Sequence, residues 1–192
     1  GAFTARRVAT VEGLETQFAV NHLAAFLLTT SLLPALERGS RVITVSSDSH
    51  HAGRIRWADP LMERRYFGLS AYCQSKLANV LFSRELVRRL GDASKVEVFI
   101  ADPGLANTDM GLKQGLSPSS LFWRLRRRGG TSPDVPAAGI AWLAASDQVS
   151  GKTGRYWLNG VEKSPSRRGR DLESARRLWE LSEELCRRAL RG

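Results

Sequence analysis

The chain has 192 residues, 42% of them hydrophobic and 25% charged, a balance that suits one soluble globular domain with a real core. Its longest uninterrupted apolar stretch, Leu23 to Leu33, holds three hydroxyl side chains and is shorter than the ~20 residues a bilayer span needs, so no transmembrane segment is expected. The net charge of +10, with Arg far ahead of Lys, allows an anionic partner, but much of it is dispersed or set beside Glu.

The chain opens on Gly1-Ala2-Phe3, with no initiator Met and no signal peptide, which reads as a fragment or a processed chain. Residues 13–37 carry the first strong helical signal. Their middle, LAAFLL, is apolar nearly all round, which predicts burial or an interface. After Gly39-Ser40, the run RVITVSS at 41–47 is short, β-branched and apolar, the pattern of a parallel strand buried on both faces. Residues 48–69 read as a long polar loop. Residues 71–90 read as a helix, with Ser70 as its N-cap and Gly91 past its end. VEVFIA at 96–101 is a second buried-type strand, stopped by Pro103-Gly104, and 105–132 is irregular. A helix over 135–146, a short strand over 154–158, a polar linker at 164–170 and an amphipathic helix over 171–190 complete the chain. In that last helix Glu173/Arg177, Glu183/Arg187 and Glu184/Arg188 have the spacing and order of favourable ion pairs. Alternating helices and strands make an α/β plan with parallel strands, and no second domain or repeat is needed.

Few residues carry chemistry. Cys73 and Cys186 are scattered, which suits reduced thiols in a cytoplasmic protein. His50 and His51 are adjacent and so do not share a face, and no metal-ligand spacing occurs: no metal is expected. Tyr72 and Lys76 are four apart near the start of a helix, on one face. A phenol of pKa ~10 is a poor base at neutral pH, and a nearby ammonium favours its ionised form. On a helix surface such a pair is ordinarily just solvated, so context decides. Ser47 stands at the C-terminal end of a predicted parallel strand, the edge at which open sheets bind ligands. A hydroxyl there either ends the strand as a turn residue or bonds a carbonyl oxygen that gains charge. Asn21, inside the apolar helix, must find partners: it either pins neighbouring backbone or holds a water. Gly151-Lys152-Thr153 is not a phosphate loop, because Ser146 stands where that motif needs glycine. Ser46 and Ser47 lie in no GxSxG elbow.

Taken in order, NHL at 21–23, VSS at 45–47, YCQSKLANVLFSREL at 72–86, PG at 103–104 and Thr108 resemble the short-chain dehydrogenase/reductase superfamily. The His50-His51 segment, the insert before Tyr72, KTGRYW at 152–157 and the closing ARRLWELSEELCRR resemble its retinol-dehydrogenase-like branch. The resemblance implies one incomplete dinucleotide-binding and catalytic domain over 1–192: the C-terminal part of a doubly wound, Rossmann-type parallel sheet that lacks its first strands. It sets Gly1 at the end of the family's NNAG segment, with about four strands ahead of it. No GxGxxG occurs, so the chain alone is expected to hold cofactor weakly and to be inactive by itself.

By the same resemblance Tyr72 is the catalytic acid/base, Lys76 tunes it and bonds the nicotinamide ribose, Ser47 orients the substrate oxygen, and Asn21 supports a water in the proton relay. Pro103, Gly104, Leu105 and Thr108 border the nicotinamide. The implied cofactor is NADP ahead of NAD, and the implied substrate an alcohol or carbonyl compound. Leu116, Leu121, Phe122 and Trp123, in the loop after Pro103-Gly104, suit an apolar one. The resemblance also leaves room for a homo-oligomer. The competing reading is a non-catalytic basic module working through Arg124 to Arg128 (RLRRR), although specific nucleic-acid binding is not expected.

Overall fold

The computed structural model describes residues 1–105 and 129–191. Its first helix, α1 (Thr16–Ala35), starts where the buried Glu15 carboxylate accepts from the N–H groups of Gln17 and Phe18 at 2.9 and 2.7 Å. The helix is not uniform. It passes through a π turn at Ala19–Leu23, returns to α over Ala24–Leu32 and closes as a 3-10 turn at Leu33–Ala35, where Pro34 stands. Phe18, His22, Leu23 and Phe26 are buried, while Val20, Leu28 and Leu32 are about half exposed. Burial within this chain is therefore one-sided, where the LAAFLL pattern predicted burial or an interface. The expected lack of a span is also corrected: α1 is long and apolar enough to cross a membrane by length and composition, although its buried face packs against the protein's own core. The hydroxyls do not break the helix, because Thr30 Oγ1 turns back onto the Phe26 carbonyl at 2.9 Å.

Strands β1 (Arg41–Val45), β2 (Glu97–Asp102) and β3 (Tyr156–Leu158) are parallel, and β4 (Val161–Lys163) adds antiparallel to β3, in the order β1-β2-β3-β4. Val45 pairs with Ala101 and Asp102 with Leu158, so the C-terminal ends of the parallel strands lie side by side. β1 stops two residues before the expected end, leaving Ser46 and Ser47 beyond its rim. β2 is the strand buried on both faces. β1 is only partly buried, because among the described residues nothing pairs with its other edge. β4 was not expected. Asn159 and Gly160, at φ 47° and 80°, make the tight turn that an Asn-Gly pair favours.

Helix α2 (Gly68–Leu90) is the centre of the domain, with every residue from Ala71 to Ser83 buried. It begins earlier than the sequence indicates, and Ser70 lies inside its first turn, so Ser70 is not its cap. The N-cap is Phe67, which makes no side-chain cap bond. Gly91, at φ 71°, ends it as expected.

Helices α1, α2 and α4 (Leu172–Ala189) share a core built around Phe18, Phe26, Leu81, Phe82, Leu178 and Trp179. Each fully buried Leu or Phe there contributes about 1.5–3 kcal/mol of burial. Helix α3 (Asp134–Ala145) covers the opposite face of the sheet, where Leu143 meets Phe99, Ala101 and Trp157. β2 alternates between the two layers, sending Val98 and Ile100 one way and Phe99 and Ala101 the other. This is the doubly wound α/β plan.

In α4 the three anticipated ion pairs give way to other partners. Arg177 lies over the Trp57 ring, Glu183 accepts from the Trp179 indole at 2.6 Å, and Arg187 turns to Glu184 at 2.6 Å. Gly151-Lys152-Thr153 is a turn, with Thr153 Oγ1 accepting from Val98 N. Cys73 and Cys186 are buried and not in a disulfide.

Candidate active site

The site grows from the point where β1 leaves the sheet. Ser46 N donates to the Ala101 carbonyl at 2.8 Å, and Ser46 Oγ donates to the Lys76 carbonyl at 2.9 Å. The chain is thus pinned to both β2 and α2 one residue before Ser47. Ser47 then caps a 3-10 turn over Asp48–Ala52, its Oγ accepting from Ser49 N at 3.2 Å. Gly53 closes that turn against α2. A Cβ there would sit 2.5 Å from the Cys73 carbonyl, so only glycine allows the approach.

Tyr72 and Lys76 are 4% and 5% exposed, one turn apart on α2, with Lys76 Nζ 5.6 Å from the Tyr72 ring centre. Lys76 Nζ donates to the Val45 carbonyl at 3.3 Å. Burial pulls the Lys76 ammonium down to about 8, and the Asp102 carboxylate opposes that pull. Phe3 packs edge-on to Tyr72.

Asn21 lies in the π turn, a distortion frequent at functional sites. Of the two roles its sequence position allowed, the structure displays the pinning of backbone. Oδ1 accepts from Ala2 N at 2.5 Å, while Nδ2 donates to the Ala2 carbonyl at 2.9 Å and to Ser75 Oγ at 3.1 Å. The Asn21 carbonyl itself accepts from Asn79 Nδ2 at 2.9 Å. Behind it, His22 bonds Asn79 Oδ1 at 3.3 Å and Ser182 Oγ at 2.8 Å, and burial lowers its pKa to about 4, so it is neutral.

Pro103 and Gly104 turn the chain away from β2. Gly104, at φ 65°, donates its N–H to Asp102 Oδ1 at 2.8 Å. Leu105 is 40% exposed, and its carbonyl accepts from Thr131 N at 2.7 Å. Thr108 lies outside the described residues, as do Leu116, Leu121, Phe122, Trp123 and the run Arg124 to Arg128.

Asn21, Tyr72 and Lys76 therefore meet along α2, and Ser47 and the Pro103-Gly104 turn stand at the adjoining ends of β1 and β2. Sequence reasoning missed Asn79, Asp102, His50 and Tyr156. Asn79 had a signal: it falls on the same helical face as Tyr72 and Lys76. Asp102 had another, as the one charge ending an otherwise apolar buried run. The arrangement can exchange a proton at Tyr72 beside a fixed positive charge, at the strand ends where open sheets bind ligands.

Residues 3–117 match the family described as short chain dehydrogenase. Over 187 residues the chain is 40% identical to retinol dehydrogenase 13 of Homo sapiens, across 92% of this chain and 55% of that protein. The chain thus spans about half the length of the curated relatives it matches. Among solved structures, an uncharacterized protein from Mycobacterium paratuberculosis is similar with a TM-score of 0.73 and 34% identity, over 96% of this chain and 63% of the other. A short chain dehydrogenase from Burkholderia cenocepacia J2315, in complex with NADP, shares the fold with a TM-score of 0.57 and 21% identity, over 82% of this chain and 60% of the other. On the family match, the retinol dehydrogenase similarity and the doubly wound fold together, the chain belongs to the short-chain dehydrogenase family.

Proposed function

We propose that this chain carries the catalytic half of an oxidoreductase that moves a hydride between a nicotinamide cofactor and an apolar alcohol or carbonyl compound, with Tyr72 as acid/base. The observation that carries the reading is the buried Tyr72–Lys76 pair at the C-terminal rim of a parallel sheet.

The donor set fits the nicotinamide-ribose end of such a cofactor. An ammonium has three N–H donors, and the Val45 carbonyl takes one of those on Lys76, leaving others for ribose hydroxyls. The glycine-rich phosphate loop is not among these 192 residues. When bound, the nicotinamide supplies or accepts the hydride. Tyr72 gives its phenolic proton to the substrate oxygen in reduction and takes it back in oxidation. Lys76 stabilises the phenolate left behind. The Ser47 hydroxyl bonds the same substrate oxygen as it gains charge. NADP is preferred to NAD because a fold relative binds it. An apolar substrate is preferred because a 40%-identical relative is a retinol dehydrogenase. Two thiols outside any disulfide suit a reducing compartment such as the cytoplasm.

The test is reduction of a long-chain aldehyde and of acetaldehyde by the intact protein with NADPH, followed by loss of nicotinamide absorbance. Turnover that favours the long chain is expected. Folded protein without nicotinamide-dependent turnover would sink the reaction class, and a preference for acetaldehyde would sink the apolar substrate.

A further inference from the structure

Asp102 closes β2 one residue before the Pro103-Gly104 turn and is 5% exposed. A buried carboxylate is costly unless its oxygens are bonded. Here both are: Oδ1 accepts from Gly104 N at 2.8 Å, and Oδ2 accepts from the Tyr156 hydroxyl at 2.6 Å, a short distance typical of a charged acceptor. Tyr156, at the start of β3, is itself buried, and its phenol is pushed far above its ordinary pKa by burial and by Asp102. Its oxygen also lies 3.3 Å from His50 Nδ1. His50 Nε2 accepts from Ser166 N at 2.9 Å, so the proton of the neutral ring sits on Nδ1, 2.7 Å from the Ser47 carbonyl. An unbroken chain of polar contacts thus runs from Gly104 through Asp102, Tyr156 and His50 to Ser47, behind the site.

Packing alone would be served by an apolar residue at the end of β2. A buried charge is a net cost unless a partner uses it. Lys76 Nζ is held on the Val45 carbonyl, and Val45 pairs across the sheet with Ala101, the residue before Asp102, so the ammonium and the carboxylate stand at the same rim of the sheet, where Asp102 favours the charged form of Lys76. We propose that Asp102 is a positioning residue for the reaction: its carboxylate, held by Gly104 and Tyr156, is the buried counter-charge of Lys76 and fixes the turn against which the nicotinamide would lie. This rests on the reading of Tyr72 and Lys76 as the acid/base pair.

Several titratable or charged groups face this centre. Tyr72 comes from α2. Asp48, His50 and His51 come from the turn after Ser47, and Tyr156 comes from β3. Asp48 acts on His50 and Tyr156, and Asp102 acts on both of these and also on Lys76. Removing a nearby negative charge makes the Lys76 ammonium easier to deprotonate. Activity that needs Lys76 charged then fails at lower pH.

The experiment is a pH titration of Lys76 in the intact protein by NMR of ¹³Cε-labelled lysine, assigned with Lys76→Arg, alongside pH–rate profiles with NADPH and a long-chain aldehyde. In Asp102→Asn, Lys76 is expected to titrate about one pH unit lower than in wild type, and the alkaline limb of the profile to move with it. Asp102→Glu, which keeps the charge, is expected to move both back toward wild type. An unmoved Lys76 in folded Asp102→Asn overturns the proposal whatever the activity. Tyr156→Phe carries the test if Asp102→Asn does not fold. It keeps the charge and removes one hydrogen bond, so the limb stays in place while KM for NADPH rises roughly 10-fold, the worth of one charge-assisted bond. A wild-type KM in Tyr156→Phe counts against the proposal. A shifted Lys76 in a protein without nicotinamide-dependent turnover would leave the electrostatic influence of Asp102 standing and remove the reaction it is proposed to serve.

Discussion

The side-chain amide of Asn79 donates to the Asn21 carbonyl at 2.9 Å and to the Val45 carbonyl at 3.1 Å, so one residue of α2 ties the π turn of α1 to the end of β1. Lys76 reaches the same Val45 carbonyl. Helix α2, the Asn21 turn and the strand that leads to Ser47 therefore share one hydrogen-bond node.

Asn79→Ala would take this partner from the Asn21 carbonyl and from His22 Nδ1, while Lys76 still donates to the Val45 carbonyl. A loss of about 2 kcal/mol of stability is expected, read from the urea midpoint, because an unpaired buried group costs about 1–3 kcal/mol. Turnover should fall as well, since the Asn21 turn and β1 lose their common tie. A wild-type midpoint would mean that these bonds contribute little beyond what water supplies.

Tyr72→Phe removes one phenolic oxygen from a buried ring. Turnover in the intact protein is expected to fall by about 10²–10⁴-fold, the usual contribution of a general acid/base, with NADPH binding near normal. Steady-state kinetics and a fluorescence titration check both parts. Undiminished turnover would end the assignment.

Lys76→Ala is expected to weaken both turnover and cofactor affinity, because in the proposed reaction one ammonium serves the phenol and the ribose. Loss of the positive neighbour makes Tyr72 harder to ionise, so the pH–rate profile moves to higher pH. This is opposite in direction to the change expected for Asp102→Asn. A Lys76→Ala profile that coincides with wild type would reduce Lys76 to a packing role.

His22 makes stability depend on pH. Burial holds its pKa at about 4 in the fold, whereas an unfolded histidine titrates near 6.5. The unfolded chain therefore takes the proton first. The contribution of His22 is complete above about pH 6.5 and is lost as pH falls toward 4, amounting to about 3 kcal/mol over the window. His50, also lowered mainly by burial, adds in the same direction. Urea unfolding at pH 7 and pH 5 should differ by about 2 kcal/mol from His22 alone, and His22→Gln should flatten that difference. Equal pH sensitivity in the variant would assign the acid loss to other groups.

The elements were legible where a local pattern sets them. The helix ending at Gly91, the buried run at 96–101 and the last amphipathic helix all occur close to their expected bounds. The hairpin at Asn159-Gly160 was readable too, since that dipeptide signals a tight turn, but only three residues follow it in β4. The one-sided burial of α1 was not readable, because its exposed and buried faces are equally apolar. In the site, Tyr72 and Lys76 stand out by helical spacing. Asp102 shows only as the charge that ends an apolar run, and Tyr156 and His50 do not show at all, because their contacts join residues 54 and 106 positions apart, and only the crossover topology brings those together.

The two cysteines sit on different helices, Cys73 next to Tyr72 and Cys186 on α4, where its Sγ lies 3.9 Å from the Leu23 carbonyl. Each is under 8% exposed, and burial raises the Cys186 thiol above its ordinary pKa. An alkylating reagent must therefore wait for the structure to open. The two thiols are built-in clocks: the labelling rate at Cys186 times the lifting of the last helix from α1, and the rate at Cys73 times the exposure of α2 itself.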